Sequence, residues 1–344
     1  MMQVLTPAPR DEWRSIVAGD RSALPEHAPE WIDALCDSGQ YADASRWYVL
    51  EDGRQFVLPL VRRTGPRGLG GALLSYPPAW GIGGIVGAGL DTFVVQEVLD
   101  DLRSTGAQRI SIRPDPTRWP DWMNVADTSV VVIPRRCHVI DLAGGLDAAW
   151  KALSKSARRG VRTAERAGVR VEVDRSGELL EDYYRLYLLS VDRWARRQHE
   201  PRSLARLRAS RRDPLEKLKK LSRHLRKAFV TTVAYIDGKP AAGSITVIGQ
   251  TAHDIRAAMD ADLVGRTYAG DLLQWTTITL ACDLGCSAFH LGESGRSASL
   301  AQFKEKFGAR PVDYAELRLE RLPYTRGDLA IRAIAKHLLG FRDA

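Results

Sequence analysis

Cysteine is scarce in this chain, and long hydrophobic runs are missing from it. Four cysteines among 344 residues, Cys36, Cys137, Cys282 and Cys286, are too few and too scattered for a disulfide framework, so reduced thiols in a cytoplasm are expected. Cys282, Cys286 and His290 recur at four-residue intervals. Zinc asks for a fourth ligand and closer cysteines, and no metal is expected. No stretch holds as many as about eighteen uninterrupted apolar residues, and the segment from Met1 to Asp20 carries no run of signal-peptide length. The expected location is cytoplasmic, with no stable insertion in a membrane. An apolar fraction of 44% with 8% aromatics excludes disorder over any large part.

Positive charge is abundant instead. The formal net charge of +8 suits a polyanionic partner, and equally a protein that merely stays soluble. Its distribution says more. The stretch 193–227 gathers Arg202, Arg206, Arg208, Arg211, Arg212 and Lys217 among other cations, opposed only by Glu200, Asp213 and Glu216.

At this length two domains with separate cores are expected. Residues 1–143 read as strands with interposed helices: helical spacing over 31–36 and 92–104, paired strands at 46–50 and 55–61 around the Asp52-Gly53 turn, and strands at 109–113, 129–133 and 137–142. The glycine- and proline-rich stretch 65–89 misses the dinucleotide spacing at Gly81, Gly83, Gly84 and Gly87, which leaves a substrate-lining loop or a plain connector. A second domain is expected over 144–324. Trp150, Leu153, Ala157, Val161 and Ala164 recur at helical spacing while Lys151, Lys155, Arg158, Arg159, Arg162 and Arg166 line the other faces. A strand at 169–173, a helix at 179–196, a basic helical insertion over 193–227 and strands at 230–236, 242–248 and 253–259 follow. The helix 270–283, the strand 288–291, the helix 300–307 and the strand 312–319 complete it. A last helix within 325–344 is expected to pack back on the first domain. This mixture is an α/β (α+β) fold.

The order of these elements resembles the Fem-like peptidyltransferases and the related acyltransferases of the acetyltransferase (GNAT) superfamily. The residues that carry the likeness run from Lys151 to Arg159, then Glu165 to Val169, Gly238 to Gly243, Leu272 to Trp275, Gly285-Cys286 and Phe303 to Gly308. The first domain is similar only through Trp31, the Leu58-Pro59-Leu60 strand and the Tyr76-Pro77-Pro78 loop. The resemblance implies a tandem pair of GNAT-like domains, each a mixed sheet flanked by helices, with the acceptor on the first and the donor on the second. It implies transfer of an amino acid from a charged tRNA, as co-substrate and without further cofactor, onto an amine of a cell-wall precursor or small natural product. Two other functions stay open: N-acyl transfer from an acyl-CoA or carrier-protein thioester, and non-catalytic RNA binding. The oligomeric state stays open too.

By the same resemblance Lys304 touches the reacting ester and the terminal adenosine, and Phe303 is its aromatic neighbour in donor binding. The chain departs from the family at Asp254 and Arg256, where aromatic residues are usual, and at Glu293, where glycine is. Aminolysis of an activated ester needs a neutral amine, positioning and stabilisation of the oxyanion. Lys304 fits the last need, and Glu293 and Asp254 are the carboxylates nearest to strand ends, where a proton could be taken; each is equally a surface ion-pair residue by spacing alone. Arg256 and Tyr268 are candidates for donor binding. Acetyl-CoA enzymes of the superfamily hold pyrophosphate at a helix N-terminus in a glycine-rich loop. Here Ala269 replaces the first glycine and Asp271 adds a negative charge, which disfavours CoA. Lys155, Arg158, Arg159, Arg162, Arg211 and Arg212 are the candidate tRNA contacts, since phosphates call for Lys and Arg.

Overall fold

The computed structural model describes residues 2–64, 71–125, 130–295 and 297–338, the side chains of 332–338 excepted. By contacts the chain divides into two compact units, Met1–Cys137 with Val312–Ala330, and His138–Pro311 with Ile331–Ala344. The boundary falls inside one long strand.

The first unit opens with β1 (Gln3–Leu5), α1 (Arg10–Gly19), α2 (Pro29–Cys36), β2 (Tyr41–Asp43), β3 (Arg46–Val49), β4 (Gln55–Leu58), β5 (Val61–Arg63) and β6 (Ala72–Ser75). It continues through α3 (Thr92–Ser104), β7 (Arg109–Ile112) and α4 (Trp119–Met123) into β8 (Val130–Asp141). The expected hairpin at Asp52-Gly53 is β3–β4, closed by the Gly53 amide on the Leu50 carbonyl with Gly53 at φ +84°. Asp91 starts α3 by accepting from the Val94 amide, and Val94, Val95, Val98, Leu99 and Leu102 bury the face that packs into the unit's core. The glycine-rich stretch packs closely. A Cβ on Gly83 would stand 2.3 Å from Ser75 Oγ, and the Gly83 carbonyl meets His27 Nε2 at 2.8 Å.

The second unit holds α5 (Gly145–Ala152), α6 (Lys155–Arg166), β9 (Arg170–Asp174), α7 (Leu180–Arg197), α8 (Arg202–Arg212), α9 (Leu215–Leu225), β10 (Phe229–Ile236), β11 (Lys239–Ile248) and β12 (Ala252–Met259). Then come α10 (Ala261–Val264), α11 (Ala269–Asp283), β13 (Ala288–Glu293) and α12 (Ala298–Glu305). The chain ends with β14 (Arg310–Glu320), which pairs with β7, and α13 (Tyr324–Leu338). The single apolar periodicity that begins at Trp150 is broken in two. Leu153 turns extended and the Ser154 hydroxyl accepts from the Ala157 amide, ending α5 and capping α6.

Strands β9, β10, β11 and β12 are antiparallel neighbours, and β13 joins β12 in parallel. Parallel neighbours need a crossover. Helix α11 supplies it between β12 and β13, as α3 does between the parallel β6 and β7. In each unit these strands belong to a mixed sheet flanked by helices, and the first unit adds a separate antiparallel sheet of order β1-β3-β4. Two apolar clusters anchor α11: Ala269 and Leu273 pack with Ala234 and Ala242, while Ile278 and Ala281 pack with Ala252 and Phe289.

Candidate active site

The second unit holds a fork. Strands β12 and β13 are registered only at Ala252 with Phe289 and His253 with His290. One residue further on, β12 carries a bulge: Thr246 faces Asp254 while Ile245 faces Arg256, so Ile255 is the extra residue. Opposite, Gly292 takes φ +68°, with its ideal Cβ position 3.6 Å from the Asp254 carbonyl and 3.7 Å from His253 Nε2. The two strands part at this point, and ligands of open sheets bind where neighbouring strands diverge at a crossover.

Three of the candidate residues meet at the fork. Lys304, buried on α12, donates from Nζ to the carbonyl oxygens of Gly292 and Glu293, each at 2.9 Å. Glu293 is thereby held by its backbone at the end of β13. Asp254 is half-buried, and its Oδ1 is buried with no hydrogen-bond partner among the described residues. Burial raises its carboxyl to about 7, against the lowering pull of Lys304 and His253. A carboxyl poised there can exchange a proton near neutral pH. His138 Nδ1 lies 3.2 Å from Ser294 Oγ, and its Nε2 lies 3.5 Å from Glu305 Oε1. Sequence reasoning missed this contact, because a lone histidine at the end of a strand carries no spacing signal.

The donor-binding candidates separate. Phe303 packs on the apolar cluster beneath α12, 5.2 Å from the Phe307 ring. Arg256 turns to Asp213, with Nη2–Oδ1 at 2.7 Å and Nε–Oδ2 at 3.3 Å. Lys217 adds a bond to Asp213 at 2.9 Å. Although burial works against it, the Arg256 and Lys217 charges hold the Asp213 carboxyl below its ordinary value, while burial pushes Lys217 down to about 8. Tyr268 is exposed in a left-handed conformation, φ +58°, just before α11.

The basic residues sort into two sets. In the insertion much of the charge is spent on scaffold. Arg202 and Arg206 both bond Asp192, Arg208 bonds Glu200, and Arg212 stands 3.4 Å from Asp213. The two pairs with Asp192 pin α8 to α7, and among the described residues Arg211 makes no such bond. On α6, Lys155, Arg158, Arg159, Arg162 and Arg166 line an open depression with Glu165. Their polar contacts are Arg158 to the Trp150 and Lys151 carbonyls and Arg166 to the Arg162 carbonyl and Thr163. No carboxylate pairs with them among the described residues. The Ser154 amide, at the start of α6, donates to the Lys306 carbonyl at 2.8 Å. The cationic helix therefore begins beside the element that carries Lys304.

No helix among the described residues is long and apolar enough to cross a membrane, and no group of three or more metal-ligating side chains occurs among them. Among the described residues the four cysteines form no disulfide.

Residues 151–305 match the acetyltransferase (GNAT) domain family. No curated protein matches the chain significantly. Among solved structures, FemX superposes with a TM-score of 0.69 at 12% identity, over 95% of this chain and 99% of that one. The C-terminal domain of a putative lysylphosphatidylglycerol synthetase from Agrobacterium fabrum gives 0.52 at 14% identity, over 95% of each chain. A tandem GNAT protein from the clavulanic acid biosynthesis pathway gives 0.51 at 12% identity, over 94% and 99%. The fold is that of tandem GNAT-like proteins.

Proposed function

We propose that this chain, which carries a GNAT acyltransferase domain on a Fem-like tandem fold, moves an aminoacyl group from a charged tRNA to the amine of a cell-wall precursor or small natural product. The observation that carries the reading is the row of unpaired cations on α6, tied through Ser154 to the end of the helix that bears Lys304. Counterion release from phosphates makes such a row effective against RNA. A plain surface helix would more often alternate its charges.

In this reading the acceptor enters as an ammonium and gives one proton to Asp254. The neutral nitrogen attacks the ester carbonyl carbon, the C–N bond forms, and the carbonyl oxygen becomes an oxyanion. The positive field of Lys304 at the fork stabilises that oxygen. When the ester C–O bond breaks, the terminal ribose oxygen leaves with the second proton, the one still carried by the attacking nitrogen, so that a neutral amide and a hydroxyl result, and the Asp254 carboxyl releases the first proton to solvent. No cofactor is consumed. Lys304 serves through its charge and by fixing the carbonyls of Gly292 and Glu293.

Single-turnover transfer from a preformed aminoacyl-tRNA to a panel of amines tests this. Formation of an amide that depends on the aminoacyl-tRNA, with binding that weakens steeply as salt rises, is the expected result. Equal transfer from acyl-CoA without salt-sensitive RNA binding would replace the donor.

A further inference from the structure

The Tyr268 side chain does not cap helix α11; the Ala269 amide donates to Thr267 Oγ1 at 3.4 Å, and the amides of Asp271 and Leu272 both turn to the Tyr268 carbonyl, at 2.9 and 3.3 Å. The start of a helix carries roughly half a positive charge and attracts anions. An anion of the protein's own stands there. Asp271 lies in the first turn, buried, with both carboxylate oxygens on Lys306 Nζ at 2.7 and 2.8 Å. Its Oδ2 occupies the space of a missing side chain on α6, since a Cβ on Gly160 would stand 2.1 Å from it. The Lys306 ammonium is also seated 4.7 Å from the Phe303 ring centre and 5.4 Å from that of Phe307. Three chain segments, α6, α11 and the end of α12, thus meet at one carboxylate.

We propose that Asp271 is a specificity determinant: its carboxylate, held by Lys306 and fitted against Gly160, fills the anion-attracting start of α11 and bars donors that carry a diphosphate, such as a coenzyme A thioester. The inference rests on the second unit being the donor unit. A diphosphate approaching this helix end meets a fixed negative charge whose one ammonium is already committed. With the carboxylate gone and Lys306 kept, the local charge goes from about neutral to positive and the same helix end attracts it. Asp271 does not touch the reacting atoms in this account. It selects which carrier can deliver them.

The test titrates coenzyme A and inorganic pyrophosphate into the full chain by calorimetry at low salt. It uses wild type, Asp271→Asn, Asp271→Ser and the double variant Asp271→Asn with Lys306→Met, each checked by thermal unfolding. Asp271→Asn keeps the side-chain volume, and Asp271→Ser guards against a defect peculiar to the amide. The expected result is a gain of at least about tenfold in affinity for both probes in the single variants, given the positive charge uncovered at a helix start, and its loss in the double variant. Wild type binding coenzyme A as tightly as the single variants overturns the proposal, as do folded single variants with no gain. A gain that survives in the double variant also overturns it, because Lys306 would then not be the counter-charge. No arm contains RNA, so a failure of tRNA dependence leaves this outcome readable by itself.

Discussion

Lys304 Nζ and the Gly292 carbonyl oxygen stand 2.9 Å apart, an ammonium from α12 closing on the strand that parts from β12. Gly292 is at φ +68°, and the same ammonium takes the next carbonyl, that of Glu293. Lys304 is therefore a strut of the fork as well as its positive charge.

Replacing it should cost both roles. Lys304→Ala leaves two carbonyls without their charged donor, which is expected to lower stability by about 1.5–3 kcal/mol. It should also slow single-turnover transfer by roughly a hundredfold or more. Lys304→Arg should recover part of the stability and less of the rate, because a planar fork cannot sit where one ammonium nitrogen binds two carbonyls. An unchanged melting temperature with Lys304→Ala would show that the two bonds do not hold the fork.

Asp254 gives a pH signature. Its carboxyl is raised to about 7 by burial, above the unfolded value of about 3.9. The unfolded chain therefore releases this proton at lower pH than the folded one. The stability associated with Asp254 is complete below about pH 4 and is lost as pH rises through 7. Asp254→Asn should make the protein more stable than wild type at pH 8, by an amount on the order of 4 kcal/mol, with little difference near pH 4. Transfer by wild type should rise with pH to a plateau above an apparent pKa near 7. The asparagine variant should lack that limb and run about a hundredfold to ten-thousandfold slower. Urea titrations at both pH values and a pH–rate profile check the two halves independently.

The sequence made the strand and helix order legible because each element announces itself locally. Short runs rich in Val, Ile, Thr and Ala mark β10 and β11, the Asp237-Gly238 turn joins them with both residues at positive φ, and Gly168 at φ +72° ends α6. The break at Ser154 was not legible, since the apolar positions on either side keep one helical phase. In the site, Lys304 and Asp254 were within reach because they lie at strand and helix ends. The ion pair of Lys306 with Asp271 was hidden by a separation of thirty-five positions. Gly160 inside a helix pattern was its one trace. Arg256 and the arginines of α8 show the opposite limit: charge counted along a chain does not reveal which carboxylate each guanidinium will meet.

Those pairings separate binding from stability among the arginines. Arg158→Glu with Arg159→Glu, on the unpaired face of α6, should weaken tRNA binding and flatten its salt dependence by about 0.7–0.9 in the log–log slope per lost phosphate contact, leaving the melting temperature near wild type. Arg211→Glu with Arg212→Glu should have a smaller effect on binding, because Arg212 lies against Asp213. Arg202→Ala with Arg206→Ala should do the reverse of the α6 pair. Asp192, held down to about 2 by bonds from Arg206 and Arg202, would lose both partners, and α8 would loosen without a matching loss of RNA affinity. Filter binding at several salt concentrations, beside thermal unfolding, distinguishes the three pairs.

Gly160 supplies the most local prediction. It lies within α6, where glycine is about 1 kcal/mol worse than alanine, so Gly160→Ala would stabilise an isolated helix. Here a Cβ would stand 2.1 Å from Asp271 Oδ2, 2.9 Å from Cγ and 3.2 Å from Cβ of the same residue. Contacts this short force the carboxylate to move, and it cannot move far while both its oxygens bind Lys306. The buried pair must stretch or the two helices must separate, and overpacking of this kind typically costs 1–3 kcal/mol. The clash exceeds the propensity gain, so Gly160→Ala should lower the melting temperature. Combining it with Asp271→Ser removes the atoms in the way, and the double variant should recover more stability than the sum of the single changes allows. A double-mutant cycle by urea unfolding measures that coupling. Strict additivity would mean that Asp271 does not fill the space at Gly160, and the ion pair would then be free to shift without disturbing α6.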